Sequence, residues 1–315
     1  MKKLVSYLLP LLILPFIIIN VSAKELVPGG QVIGLALQDG SLTVVSIHET
    51  LGKNALAAGL KSGDKLCRLN DQAVKTTDQV RSALKSCGER VTLTVNRDGK
   101  EKQLTLSPTA TSEGPCLGIY LKEGVTGIGT VTYYDPQAGT YGALGHGVSH
   151  KDGTPVAMEK GKAYKAAILS VQKGTVGKPG QLAGTLAEES PIGTVDTAAP
   201  QGIFGKLPCP SEQTLPTANA KTGTATIRST VDANGIQEYS VEILKIYPHS
   251  AKNGRNMLIK ITDDKLLHTT GGIVQGMSGS PIIQDGKLVG AVTHVLVNDP
   301  TMGYGIFIEN MLDAA

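Results

Sequence analysis

The stretch Thr270-Gly271-Gly272-Ile273-Val274-Gln275-Gly276-Met277-Ser278-Gly279-Ser280-Pro281 sets one serine, Ser278, among small residues. Such a setting leaves a hydroxyl uncrowded, and its glycines let the backbone turn tightly enough to aim N–H groups at a developing oxyanion. A serine alone is a poor nucleophile and needs a base. His146, in Ala143-Leu144-Gly145-His146-Gly147, lies 132 residues earlier and is the candidate. The order of histidine first and serine last suits acyl-transfer chemistry on a β scaffold. Read alone, the same six residues Gly276–Pro281 also suit an ordinary turn, since Gly, Ser and Pro favour turns.

The composition around this motif is that of a turn-rich β protein. The 315 residues include 38 glycines, no tryptophan and only 3 phenylalanines. Net charge is +3 and the basic residues are scattered, which argues against nucleic acid as a partner. At the N-terminus, Met1-Lys2-Lys3, the apolar run Leu8–Ile19 and Val21-Ser22-Ala23 follow the three-part plan of a secretory signal. Residues 1–23 are therefore expected to be a signal peptide or transient anchor, with export and transient membrane association. Cys67, Cys87, Cys116 and Cys209 contain no CxxC pair, so no zinc cluster is expected, and both disulfides and free thiols fit. His146 and His150 have i, i+4 spacing, but the glycines flanking His146 make a metal-binding helix poor there. No metal and no cofactor are expected.

Five pairs read as hairpin turns: Asp39-Gly40, Asp98-Gly99, Asp152-Gly153, Asn234-Gly235 and Asp285-Gly286. Runs such as Val91–Val95, Val241–Ile246 and Met257–Ile261 read as strands. The best helix is Asp78–Ser86, with Val80, Ala83 and Leu84 on one face. Residues 107–115 read as a linker. The Gly, Pro, Thr and Ala-rich part from Leu182 to Pro216 reads as an inter-barrel connection or surface loops. His150 and His294 are expected to be a surface loop residue and a half-buried strand residue.

Residues 27–108 carry Ala57-Ala58-Gly59-Leu60-Lys61-Ser62-Gly63-Asp64, then Asn70-Asp71, then the helix and a closing hairpin. This order resembles a PDZ domain. The resemblance implies a carboxylate-binding loop at Gly29, Gly30, Val32, Ile33 and Gly34, where a peptide terminus is capped while the peptide adds a strand. Residues 116–315 have the span of a two-barrel β hydrolase.

The PDZ unit, Gly142–His146, the twelve residues ending at Pro281, Gly290–Val295 and Asn298-Asp299-Pro300 together resemble the stage IV sporulation protein B peptidases of spore-forming bacteria. The resemblance implies a mainly β chain, an N-terminal PDZ domain followed by a trypsin-like double β-barrel. It implies Ser278 as nucleophile, His146 as general base and acid, and an oxyanion hole from the N–H groups of Gly276 and Ser278. Asp263, 15 residues before Ser278, matches the family's aspartate. Asp264 adjoins it, and Asp135 and Asp196 are in reserve. The implied activity is that of an exported, self-processing serine endopeptidase of the forespore intermembrane space. It would cut a membrane-bound regulator and so activate the late mother-cell sigma factor. An inhibitor protein is a further implied partner. The competing reading is a PDZ binding protein with an inactive peptidase shell. Proteases of the high-temperature-requirement type place the PDZ unit after the protease, the reverse of the order here. Tyr304, in Gly303–Ile306, is expected to flank a specificity pocket.

Overall fold

The computed structural model describes residues 23–150, 153–187, 190–248 and 254–315, so the signal segment and Asp152 lie outside it. Along the chain run β1 (Glu25–Pro28), β2 (Val32–Ile47), α1 (Lys53–Ala57), β3 (Lys65–Leu69), β4 (Gln72–Ala73), α2 (Thr77–Lys85), β5 (Val91–Arg97) and β6 (Lys100–Leu106). There follow β7 (Thr109–Thr111), β8 (Gly114–Cys116), β9 (Ile119–Asp135), β10 (Thr140–Ala143), β11 (Lys160–Gln172), β12 (Gln181–Leu186), β13 (Gly193–Ala199) and β14 (Gly202–Lys206). The last part contains β15 (Leu215–Pro216), β16 (Gly223–Thr230), β17 (Ile236–Ile246), β18 (Met257–Ile261), α3 (Asp264–Thr270), β19 (Pro281–Gln284), β20 (Lys287–Leu296), β21 (Asp299–Phe307) and α4 (Ile308–Leu312). Among the described residues no helix is long and apolar enough to cross a membrane.

Two closed barrels follow from the pairing. In the first, β9-β10-β14-β13-β11-β2 run in order and β2 pairs back onto β9. In the second, β16-β17-β18-β21-β20-β19 close on themselves. Alternating burial drives both. Along β17, Tyr239, Val241 and Ile243 are buried while their neighbours Glu238, Ser240 and Glu242 are exposed. Leu26 of β1 and Tyr133 and Phe204 of the first barrel meet Leu288, Ala291 and Ile306 of the second, with Ile308 and Met311 of α4 sealing the seam.

The PDZ unit is not hung on a linker. β2 and β9 are long enough to serve both units. Their outer halves pair as Val44↔Leu121 and Ile47↔Ile119 beside the PDZ core of Leu42, Val44, Leu60, Leu66, Val80 and Leu93. Their inner halves pair as Val32↔Thr130 and Leu35↔Gly127 in the first barrel. The expected hairpin at Asp39-Gly40 is therefore replaced by a register shift within β2, because β9 holds both flanks of the bend. Elsewhere turn chemistry decides locally. Asp98-Gly99 and Asp285-Gly286, all at positive φ, join β5 to β6 and β19 to β20 by two-residue turns. The helix is close to expectation: the Thr76 hydroxyl caps the Gln79 N–H, and Val80, Ala83 and Leu84 are buried.

Two segments differ from their sequence reading. The linker at 107–115 is largely the small hairpin β7–β8. The Leu182–Pro216 segment is not loop alone: it supplies β13 and β14, whose Val195, Ile203 and Phe204 are buried. Its small residues are needed because strands pack tightly there. A Cβ on Gly205 would press into the Thr194 carbonyl. The four cysteines are all free, with Cys209 exposed.

Candidate active site

Between the barrels lies a cavity of about 460 Å³, lined by His146, Ser278, His294, Gly276 and a largely aliphatic wall that includes Leu35, Ile128, Ile273 and Val295. Ser278 and His146, far apart in sequence, thus face one space. The first barrel delivers His146 just after β10. Leu144 sits at φ +69 and Gly145 at φ +68, a double left-handed step that turns the chain inward. The second barrel delivers Ser278 on the loop between α3 and β19. Gly279, at φ +98, is packed so closely that a Cβ would collide with the Thr130 carbonyl.

The histidine is set up as a base. Its Nδ1 lies 2.8 Å from the Gly147 carbonyl, which can only accept, so Nδ1 carries the proton and Nε2 keeps its lone pair. Burial holds the His146 pKa below 6.5, partly offset by that hydrogen bond. The Ser278 hydroxyl, half-buried, donates to the Thr293 carbonyl at 2.7 Å. Ser280 differs: it is fully buried and its hydroxyl is held by Met277 and Ser229. The backbone N–H groups of Gly276 and Ser278 have no acceptor among the described residues, whereas those of Met277, Gly279 and Ser280 are bonded to Val274, Val292 and Met277. Two free amides beside one hydroxyl can receive an oxyanion.

Asp263 is not brought to this centre, and the expectation that it orients His146 is corrected. It is the N-cap of α3. One carboxylate oxygen accepts from Leu266 N–H at 2.9 Å and the other from Ser240 N–H at 3.3 Å. An aspartate followed by a short helix is a capping signal, and this local demand takes the side chain. The reserve residues are also elsewhere. Asp135 is buried in an ion pair with Lys24 at 2.7 Å, and Asp196 is exposed on β13.

His294 is the half-buried strand residue expected, on β20, but it also lines the site, which the sequence did not indicate. Its ring centroid is 5.2 Å from that of His146, its Nδ1 is buried without a partner, and its pKa is pushed down to about 4. Burial is the main cause, with His146 and Arg255 adding to it. Its place within an apolar run masked it. Tyr304 does not line the cavity. It pairs with His294 across β20–β21 and carries the Arg255 guanidinium over its ring at 5.3 Å. His150 is engaged too, 2.9 Å from Asp39.

The family model of SpoIVB peptidase S55 matches residues 115–312, well over half of the chain. The chain belongs to the SpoIVB peptidase family. A PDZ domain model matches residues 31–107 of this SpoIVB-type peptidase. It is a mainly β serine peptidase carrying a PDZ domain. The zinc metalloprotease RasP of Geobacillus kaustophilus (strain HTA426) is 34% identical over 67 residues, 21% of this chain and 16% of that protein. The chain thus spans about a sixth of that curated relative. Among solved structures, the PDZ domain of the SdrC-like protein of Listeria innocua is 23% identical, covering 27% of this chain and 97% of that one at a TM-score of 0.23. The active form of the Rv3671c protease of M. tuberculosis is 16% identical, covering 60% and 73% at a TM-score of 0.36.

In this SpoIVB-type peptidase Gly29, Gly30, Val32, Ile33 and Gly34, expected to form the carboxylate-binding loop, lie where β2 enters the first barrel. Gly34 pairs with Ile128 on one side and Tyr164 on the other, so neither strand edge is open. A cavity of about 330 Å³ lies between α2 and the start of β9, lined by Val80, Leu84, Leu117, Gly118, Ile119 and Tyr120. There, among the described residues, β9 pairs only with β2, which leaves its other edge unpaired.

Proposed function

We propose that Ser278 is the nucleophile and His146 the general base of this serine peptidase, with the N–H groups of Gly276 and Ser278 as the oxyanion hole. The observation that carries this reading is the common cavity of Ser278 and His146 beside two unbonded amides. The Ser278 hydroxyl first turns from the Thr293 carbonyl toward His146. Nε2 takes its proton as Oγ bonds to the substrate carbonyl carbon. The resulting oxyanion is held by the two amides, each donor worth about 10²–10³ in rate. His146 then gives the proton to the departing amine, and water repeats the sequence on the acyl-enzyme. The Gly147 carbonyl performs the tautomer-fixing task a carboxylate has in an aspartate triad.

Membership of the family supports the finer reading: an exported endopeptidase that processes itself and cleaves a membrane-bound sporulation regulator, triggering activation of the late mother-cell sigma factor. We place PDZ-mediated partner recognition in the groove between α2 and β9, open to a substrate terminus, the enzyme's own, or an inhibitor protein. The test is a fluorophosphonate probe, followed by incubation of the full chain and sequencing of new N-termini. Labelling and new termini are expected for the native chain and neither for Ser278→Ala or His146→Ala. An unlabelled, uncleaved native chain points to a PDZ binding protein with an inactive shell.

A further inference from the structure

Thr130 of β9 is fully buried and polar, and it spends every hydrogen-bonding group on the catalytic loops. Its hydroxyl donates to the Gly276 carbonyl at 2.7 Å. Its N–H donates to the Ser278 carbonyl at 3.1 Å, and its carbonyl accepts from Leu144 N–H at 3.2 Å, two residues before His146. One residue of the first barrel therefore grips both residues of the proposed oxyanion hole and the base of the His146 loop.

We infer that Thr130 is a positioning residue of the peptidase, holding the oxyanion amides in register with His146. The inference rests on the reading of Ser278 as nucleophile. Gly276 sits at φ +104 with no side chain to restrain it, and glycine moves among such conformations at little cost. Fixing the carbonyls of Gly276 and Ser278 brackets the Met277–Ser278 peptide plane that carries the Ser278 N–H, and anchors Gly276 on the far side of its Cα from its own N–H, so both free amides are held by their neighbours. A preorganised hole contributes only if it need not reorganise during the reaction. Because Leu144 hangs on the same residue, the two barrels cannot slide at this point without breaking the clamp. Neighbouring Thr132 provides an internal comparison. It is equally buried and its hydroxyl donates to the Gly279 carbonyl at 2.8 Å, but Gly279 N–H is already bonded and takes no part in the hole.

The experiment uses the full chain with Thr130→Val, Thr130→Ser and Thr132→Val. Thr130→Val is expected to slow phosphonylation of Ser278 by a fluorophosphonate roughly 10- to 100-fold, a fraction of the effect of deleting one donor outright. Thr130→Ser is expected to return it to within a few-fold of the native rate. Thr132→Val is expected to lower thermal stability as much while sparing the rate. Equal losses in Thr130→Val and Thr132→Val, or native reactivity in Thr130→Val, overturn the inference. Amide hydrogen exchange over residues 274–280 serves as a readout independent of chemistry, and is expected to rise in Thr130→Val above its level in Thr132→Val. If the native chain fails to label, the nucleophile reading falls, and unchanged exchange separately removes the clamp.

Discussion

His146 and His294 come from different barrels, and their rings lie 5.2 Å apart at an interplanar angle of 42°. Each imidazole is half-buried, and the desolvation this brings opposes a charge on either, so both pKa values fall below 6.5. A neutral pair at working pH leaves His146 free to accept a proton.

This pair makes stability depend on pH in a defined window. The unfolded chain binds protons at each histidine near pH 6.5, while folded His294 binds one only near pH 4. Stability is then fully present above pH 6.5, declines as pH falls from 6.5 toward 4, and levels off below. Thermal melts across that range are expected to show the decline, and His294→Gln to flatten it. The acid limb of the acylation rate is expected below pH 6.5, following His146.

Replacing Ser278 by alanine is expected to abolish probe labelling and peptide cleavage. The lost side chain makes one hydrogen bond, to Thr293, at a half-buried site, so stability should change by only about 1 kcal/mol. Matching melts of the native and variant chains check the fold.

Gly279→Ala attacks the backbone instead. The added methyl meets the Thr130 carbonyl and Leu144 N–H, at a φ of +98 that alanine avoids. A destabilisation above about 2 kcal/mol is expected, with loss of labelling even where the chain remains folded. Denaturant melts and probe kinetics measure the two effects separately.

Asp263 separates capping from catalysis. As the N-cap of α3, its replacement by alanine is expected to cost about 0.5–2 kcal/mol, and by asparagine much less. Activity should track stability in both variants, because α3 leads directly into the nucleophile loop. A fall of about 10⁴ in kcat for Asp263→Asn at unchanged Tm would instead give Asp263 the triad role.

What was legible in the sequence was local. The hairpins at Asp98-Gly99 and Asp285-Gly286, helix α2, and the pairing of a Gly-flanked serine with a Gly-flanked histidine depend on near neighbours and side-chain chemistry alone. Family membership rests on those same motifs. Tertiary structure decided what depends on distant contacts. Whether Asp263 faces His146 or caps α3 turns on competition between a distant ring and two nearby N–H groups. Nothing local marks His294 or Thr130 as site residues, and only the tertiary fold puts them beside Ser278. The proposed peptide groove likewise lies at Leu117–Tyr120 and not at Gly29–Gly34, because a strand accepts a peptide only where its edge is unpaired. That pairing is set by β2 with β9 and β11, strands that begin 72 or more residues beyond the end of β2.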